Sequence, residues 1–483
     1  MNTPLWDALA ASLARNASRV LIDDGVRALT GEALAQEVAR AAAALADCRV
    51  VALAADNGSD WAVADLAALA CGATLLPLPL FFSPAQRAHA LLDAGADALL
   101  RPCRPGEAPL AGCPSLTLER LAQATTGRCP DATAKLTYTS GTTGSPKGVC
   151  LEQSLLLATA EALADATGGG SLTSHLCLLP LSTLLENVAG LYRALLIGAR
   201  CRLPALAEVG LTGSSGLNRQ QLCAALSRHA PASVISVPQI LTELVAATQQ
   251  GWAPPASLGF VAVGGARVAP ALVAAARAAG LPVYEGYGLS ECGSVVCLNT
   301  PNADRPGSVG CPLPHVRTRV ENGELVVELP APTGYLGDAP SFSRRVASGD
   351  LVSVDADGFV HVAGRRKHVL ITAFGRNVSP EWVESELCAD GRIRQCVVLG
   401  EGEATLSALA FAPGASDEAL AGTLARANAA LPDYARVARL IRLDAPLLPG
   451  GEFMTENGRP RRARIAEHWA TVPKTVPCQG EPG

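Results

Sequence analysis

The stretch KLTYTSGTTGSPKGVCLE, residues 135–152, decides how the chain is read. A β-like run leads into a loop of threonines, serines and glycines that closes on Lys147, and a helix-like run begins near Gln153. The spacing therefore predicts a strand delivering a loop into a helix N-terminus. Hydroxyls, glycine amides that allow close approach and an ammonium together suit the oxygens of a polyphosphate. The loop is not a Walker A sequence, because Pro146 stands at the fifth position after Gly141, where that pattern requires glycine. The competing reading is a plain surface loop.

The retention of Lys147 argues for the first reading. Lysine occurs only at positions 135, 147, 367 and 474, against 35 arginines among 39 basic residues, so each remaining lysine is informative. At 483 residues and 49% apolar content, the chain predicts a large soluble protein of two or more domains with sizeable cores. A net charge of −5 with no basic block or stripe sets nucleic acid aside as a partner. Fifteen cysteines, odd in number and never spaced as CxxC, are expected to be reduced thiols. The N-terminus lacks the order of a signal peptide. Residues 66–86 are uncharged and long enough to span a bilayer, yet Gly72, Pro77, Pro79 and Pro84 divide them into helix, extended run and turn. The expectation is a cytoplasmic protein without a transmembrane segment.

Helix-like and strand-like pieces alternate along most of the chain: 32–45 helical, 50–54 extended, 61–70 helical, 73–80 extended, then again over 224–236 and 258–283. Such alternation predicts an α/β fold with mainly parallel sheets covered by helices. Past about residue 315 the texture changes to short alternating runs with Asn-Gly and Asp-Gly turn signals, which predict hairpins. From Pro380 a helix, two strands and a second helix describe a small α+β unit.

The loop resembles the phosphate-binding signature of the adenylate-forming superfamily, which includes the acyl-CoA synthetases, and the resemblance covers nearly the whole chain. YEGYGLSE, residues 284–291, is similar to the family stretch in which a tyrosine packs on adenine, a hydroxyl residue meets the nucleotide and a glutamate holds Mg²⁺. Those roles fall on Tyr287, Ser290 and Glu291, with Gly288 between them. SGDL, residues 348–351, resembles the motif whose aspartate binds ribose, giving Asp350. GRRKHVLITAFGRNVSPEWVE, residues 364–384, resembles the segment joining the two domains and most resembles that of long-chain fatty acyl-CoA synthetases. There Arg365 contacts the nucleotide and Lys367 marks the hinge, although a GRRK run is also a common solvated turn. AVGGARV, residues 262–268, resembles the glycine-rich turn lining the adenine and acyl pocket, implicating Gly264, Gly265 and Ala266; an ordinary strand-to-helix turn competes. In the loop itself the nucleotide contacts fall on Thr139, Ser140, Gly141, Thr142, Thr143 and Gly144.

The resemblance implies an N-terminal AMP-binding domain over 1–365, a mobile C-terminal domain over 366–470 and a tail over 471–483. It implies use of ATP and Mg²⁺ to activate a carboxylic acid, fatty or related, as an acyl adenylate, with Lys147, Glu291 and Arg459 catalytic. The acyl group then passes to coenzyme A or to the phosphopantetheine of an acyl carrier protein. Two departures stand out. In TENGRPRR, residues 455–462, Arg459 occupies the place of the family's C-terminal lysine; arginine keeps the charge but is larger, planar and forked. Retained activity, an adenylation-impaired nucleotide-binding homologue and a basic surface turn are the three readings of that change. In LLPLSTLLENVAG, residues 178–190, Thr183 stands where long-chain synthetases carry a histidine or aromatic near the acyl pocket. The sequence leaves the acid, the thiol acceptor and the oligomeric state open.

Overall fold

The computed structural model describes residues 3–121, 129–139, 147–213, 216–373, 376–455 and 458–469. Two large sheets dominate. In the first, strands Val20–Asp23, Arg200–Arg202, Ser174–Leu176, Ser233–Ser236, Phe260–Val263 and Val283–Leu289 run parallel, and antiparallel strands close both edges. Short apolar runs such as SVIS and FVAV suit strands buried on both faces.

The second sheet joins two textures that differ in the sequence. Val50–Leu53, Thr74–Pro77, Ala98–Pro102 and Thr133–Thr139 pair in parallel, whereas Lys147–Glu152, Glu324–Tyr335, Ser343–Val354 and Val360–Arg365 continue it antiparallel. The hairpin region is thus an extension of the parallel sheet. Its Asn-Gly turn is real: Asn322 and Gly323 lie at φ 50° and 78°, the conformation that a two-residue hairpin turn requires.

One local expectation is corrected here. The quoted loop does not feed a helix directly: residues 147–152 form a strand that pairs back antiparallel on residues 133–139, and the helix Gln153–Ala166 follows it. The run GVCL is too short to show its own period beside the apolar helix that follows.

Helices pack on these sheets by their apolar faces. Gly31–Leu45 buries Leu34, Val38, Ala41 and Leu45, and the Thr30 hydroxyl caps it by accepting from the Ala33 amide. Helix Ser59–Cys71 is buried nearly all round and supplies Trp61 and Asp65 to the core. Asp65 meets Lys135 at 2.7 Å; the same ammonium bonds Tyr192 Oη at 2.8 Å and Asn187 Oδ1. Lys135 is 1% exposed, so this lysine was retained as a core ion pair, and burial lowers its pKa. Residues 185–192 are π-helical, an uncommon geometry that recurs at functional sites.

A third, three-stranded sheet of Gln395–Leu399, Leu406–Phe411 and Val437–Leu443 carries helices Pro380–Cys388 and Asp417–Ala430. Its apolar core draws only on residues from 370 onward, separate from the clusters of the two large sheets. The strand 437–443 is an addition to the sequence reading. The described cysteines are all free thiols, most of them buried. Among the described residues no helix is long and apolar enough to cross a membrane.

Candidate active site

A cavity of about 860 Å³ opens where the C-terminal ends of the first sheet face the extended hairpins and the segment 365–368. Strand Val283–Leu289 and the single 3-10 turn Ser290–Cys292 bring Tyr287, Gly288, Ser290 and Glu291 to its wall. The strand bulges between Tyr287 and Gly288, and a side chain at Gly288 would lie 1.9 Å from the Ser294 carbonyl oxygen, so only glycine fits that turn.

Lys147 enters the same wall as the first residue of its strand. Tyr335 reaches it from the neighbouring strand, because Tyr335 pairs with Val149 across the antiparallel ladder. The Lys147 ammonium sits 5.3 Å from the centre of the Tyr335 ring, and the Tyr335 hydroxyl donates to Glu291 Oε1 at 2.8 Å. The Thr333 hydroxyl holds the Glu291 carbonyl at 2.8 Å. Burial and the adjacent carboxylate push the Tyr335 phenol well up, so it remains a donor. No motif had singled out Thr333 or Tyr335; the alternation along 324–335 marks them as facing one side, but only the pairing with 147–152 shows which.

On the opposite side, Arg365 and Asp350 face each other in register on strands 343–354 and 360–365, and Arg365 Nε meets Asp350 Oδ1 at 2.8 Å. The other carboxylate oxygen accepts from Tyr287 Oη at 2.5 Å. Burial raises the Asp350 pKa despite both partners, and burial with the nearby carboxylate raises that of Tyr287. Asp350 is 4% exposed and stands behind the wall formed by Tyr287, Ser348 and Gly349. The residue expected at the ribose is therefore one layer deeper than anticipated.

Lys367 and Arg459 also line the cavity. Desolvation and the neighbouring Arg365 guanidinium lower the Arg459 pKa, against the pull of Glu291 and Glu381. A turn fixes the Arg459 backbone, whose amide donates to Thr455 Oγ1 at 3.0 Å while its carbonyl accepts from the Thr455 amide at 2.8 Å. Cations and one carboxylate from sequence positions 147, 291, 365, 367 and 459 thus share one space.

Gly264 and Gly265 line the cavity, Gly265 at φ +79° where a side chain is disfavoured. Ala266 does not line it; the turn carries Ala266 outward into solvent. Thr183 does, with its hydroxyl donating to the Pro180 carbonyl at 2.8 Å. Thr139 ends its strand, and Ser140, Gly141, Thr142, Thr143 and Gly144 lie outside the described residues. The sequence reading also missed a buried group at the inner end of the cavity, where Arg193, His175 and Ser233 contribute to the lining. GLYRALL reads simply as helix, so nothing local flags its arginine.

The chain is similar to several acid–CoA ligases. A long-chain-fatty-acid–CoA ligase of Mycobacterium bovis is 28% identical over 438 residues, covering 72% of this chain and 70% of the relative. A feruloyl-CoA synthase of Amycolatopsis is 28% identical over 440 residues, covering 82% and 84%. Among solved structures, an anthranilate CoA ligase in complex with anthranoyl-AMP superimposes with TM-score 0.80 at 20% identity over 96% of each chain. The o-succinylbenzoate CoA synthetase of Bacillus subtilis with its acyl-adenylate superimposes with TM-score 0.77 at 21% identity, over 97% of this chain and 99% of that one; at such identities the likeness is one of fold. Residues 9–336 match the AMP-binding enzyme family, two thirds of the sequence, and the chain belongs to that family.

Proposed function

We propose that the protein is an AMP-forming acid–thiol ligase: it activates a carboxylic acid with ATP and passes the acyl group to a thiol, most simply coenzyme A. The observation that carries this reading is the convergence of Lys147, Glu291, Arg365, Lys367 and Arg459 on one cavity whose deeper walls include Val234, Ile235, Ala262, Val295 and Leu298. A charged mouth suits a nucleotide triphosphate, and an apolar interior suits an acyl group.

In the first half-reaction a carboxylate oxygen attacks the α-phosphorus of ATP, and the bond to the bridging oxygen breaks as pyrophosphate leaves. Negative charge gathers on nucleophile, α-phosphate and leaving group together. Lys147 and Arg459 offset that charge from two sides, and Arg365 faces the nucleotide while holding Asp350 in place. Glu291 lines the cavity with its Oε1 held by Tyr335, and its carboxylate would hold Mg²⁺. A bound Mg²⁺ would neutralise phosphate oxygens. In the second half-reaction the thiol gives up its proton to solvent as its sulfur attacks the acyl carbon, and AMP departs with the electrons of the acyl–oxygen bond.

Arg459 lines the cavity, which favours retained adenylation over an impaired homologue. The two-body reading, with a boundary near 365 and a hinge at Lys367, is supported by the separate apolar core of residues 370 onward. Contacts that a swing would exchange are the Arg394–Glu243 ion pair and the Arg267 guanidinium stacked 5.7 Å from the centre of the Trp382 ring. Loading of a carrier protein instead of coenzyme A is the second acceptor to assay.

The test is carboxylate-dependent ATP–pyrophosphate exchange with a panel of fatty, hydroxy and aryl acids. Exchange in the wild type that falls about 10²–10³-fold in Glu291→Gln is expected. Exchange by neither protein with any acid contradicts the reading.

A further inference from the structure

The inner end of the cavity holds polar chemistry that neither nucleotide nor thiol explains. Arg193 is 3% exposed and lines the cavity. Its Nε donates to the Ala189 carbonyl at 3.0 Å, Nη1 to Thr167 Oγ1 at 3.3 Å and Nη2 to Ser233 Oγ at 3.1 Å. A guanidinium carries five N–H groups, so among the described residues one remains without a partner on each terminal nitrogen. Two desolvated donors beside a cavity are costly unless something accepts from them.

The surrounding groups bond to one another, and the Ser233 hydroxyl donates to the Ser174 carbonyl at 3.2 Å. Ser233 Oγ lies 3.0 Å from His175 Nδ1, His175 Nε2 lies 2.7 Å from Glu186 Oε1, and Glu186 Oε2 accepts from the Leu179 amide at 2.9 Å. Arg193 and Glu186 stand at the two ends of this chain of contacts. Burial lowers the arginine only to about 10, so it stays cationic at neutral pH.

Its place in the fold is also informative. Gly264, just past strand 260–263, lines the cavity near the mouth, and Phe260, which starts that strand, lines it at the other end. Four residues of strand separate them by about 13 Å. Ser233 pairs with Phe260 in register, so the Arg193 contact sits at the far end. Between the two ends the walls include Val234, Ile235, Ala262, Val295 and Leu298.

We propose that this inner end selects the acid: the acyl substrate carries at its remote end an uncharged oxygen acceptor, a hydroxyl or carbonyl, that takes the two open N–H groups of Arg193. This rests on the ligase reading above and narrows its substrate class. A terminal methyl leaves both donors desolvated and unpaired. A terminal carboxylate must be desolvated in full and adds a second acidic group to a buried site that already holds Glu186. A hydroxyl or carbonyl satisfies the donors and adds no charge.

The experiment is ATP–pyrophosphate exchange with matched acids ending in methyl, hydroxyl or carboxylate, built on an aliphatic chain and on a benzene ring, for the wild type and for Arg193→Met. In the wild type the hydroxyl-ended acid is expected to exceed its methyl twin in kcat/KM by about tenfold or more, mainly through KM. Arg193→Met is expected to abolish or invert that preference, read as the ratio of kcat/KM between the hydroxyl-ended and methyl-ended acids within the variant. Equal losses for every acid in Arg193→Met would show a purely structural arginine and overturn the inference. The wild-type ranking needs no variant to fold: methyl-ended acids ranking equal or first would overturn the inference alone, with the ligase reading intact. Carboxylate-ended acids ranking first would overturn the requirement for an uncharged acceptor, and no exchange with any acid would overturn inference and ligase reading together.

Discussion

Lys135 and Lys147 stand on the two strands of one antiparallel pair, and they differ in almost everything that matters physically. Lys135 is sealed between Trp61 and Tyr192, its ammonium 5.9 Å and 4.9 Å from their ring centres, and it is tied to Asp65. Lys147 is exposed at the cavity wall, over Tyr335. A chain that has replaced lysine by arginine nearly everywhere keeps it in both places for different reasons: one site has room only for a compact ammonium among three acceptors, the other offers a point charge to a substrate. Rarity of a residue marks constraint, and only the environment tells stability from chemistry.

The largest effect that would break this contrast is in the core. Lys135→Met should cost about 3–5 kcal/mol of stability by stranding the Asp65 carboxylate, read as a lowered denaturation midpoint. Adding Asp65→Leu should recover much of it, because both charges then leave together. Lys147→Met should behave inversely: a stability change within about 0.5 kcal/mol, with pyrophosphate exchange reduced about 10²-fold. A large stability loss at 147, or none at 135, would erase the distinction.

A smaller effect concerns the buried carboxyl of Glu285, which accepts from the Val268 amide. Burial pushes the Glu285 carboxyl up to about 7, with Arg267 acting only partly against it. Because its folded pKa exceeds the ordinary value, its contribution is fully present below about pH 4.5 and declines as pH rises to 7. Glu285→Gln should remove that decline, gaining on the order of 2 kcal/mol over the wild type at pH 8 and little at pH 4.5. Thermal unfolding at the two pH values checks it. The smallest effect belongs to Tyr335→Phe, which removes the hydroxyl on Glu291 Oε1 and should slow exchange about tenfold with stability almost unchanged.

Local patterns carried most of the architecture. The helix at 31–45 and the strands at 50–53 and 260–263 follow from apolar period and punctuation, and the Asn-Gly turn from the chemistry of positive φ. What escaped was long-range. The strand at 147–152 gains its identity from pairing with 133–139 and 324–335, and Tyr335 becomes a site residue only through that pairing. Asp350 was legible as a motif aspartate, yet its place one layer behind the wall follows from Tyr287 and Arg365 closing over it. Ala266 shared a glycine-rich turn with Gly264 and Gly265 but faces solvent, since neighbours in a turn do not share a direction. Arg193 gave no signal, because a helical arginine is ordinary until the strand carrying Ser233 and the end of helix 153–166 enclose it.

The measurement that tests the central claim most directly is acid-dependent ATP–pyrophosphate exchange by the wild type beside Arg459→Met and Arg459→Lys. The account predicts exchange in the wild type and a loss of about 10²-fold or more in Arg459→Met, because the guanidinium that lines the cavity offsets charge during adenylation. Exchange absent in the wild type and gained in Arg459→Lys would contradict it, placing the protein among homologues that bind the nucleotide without activating an acid.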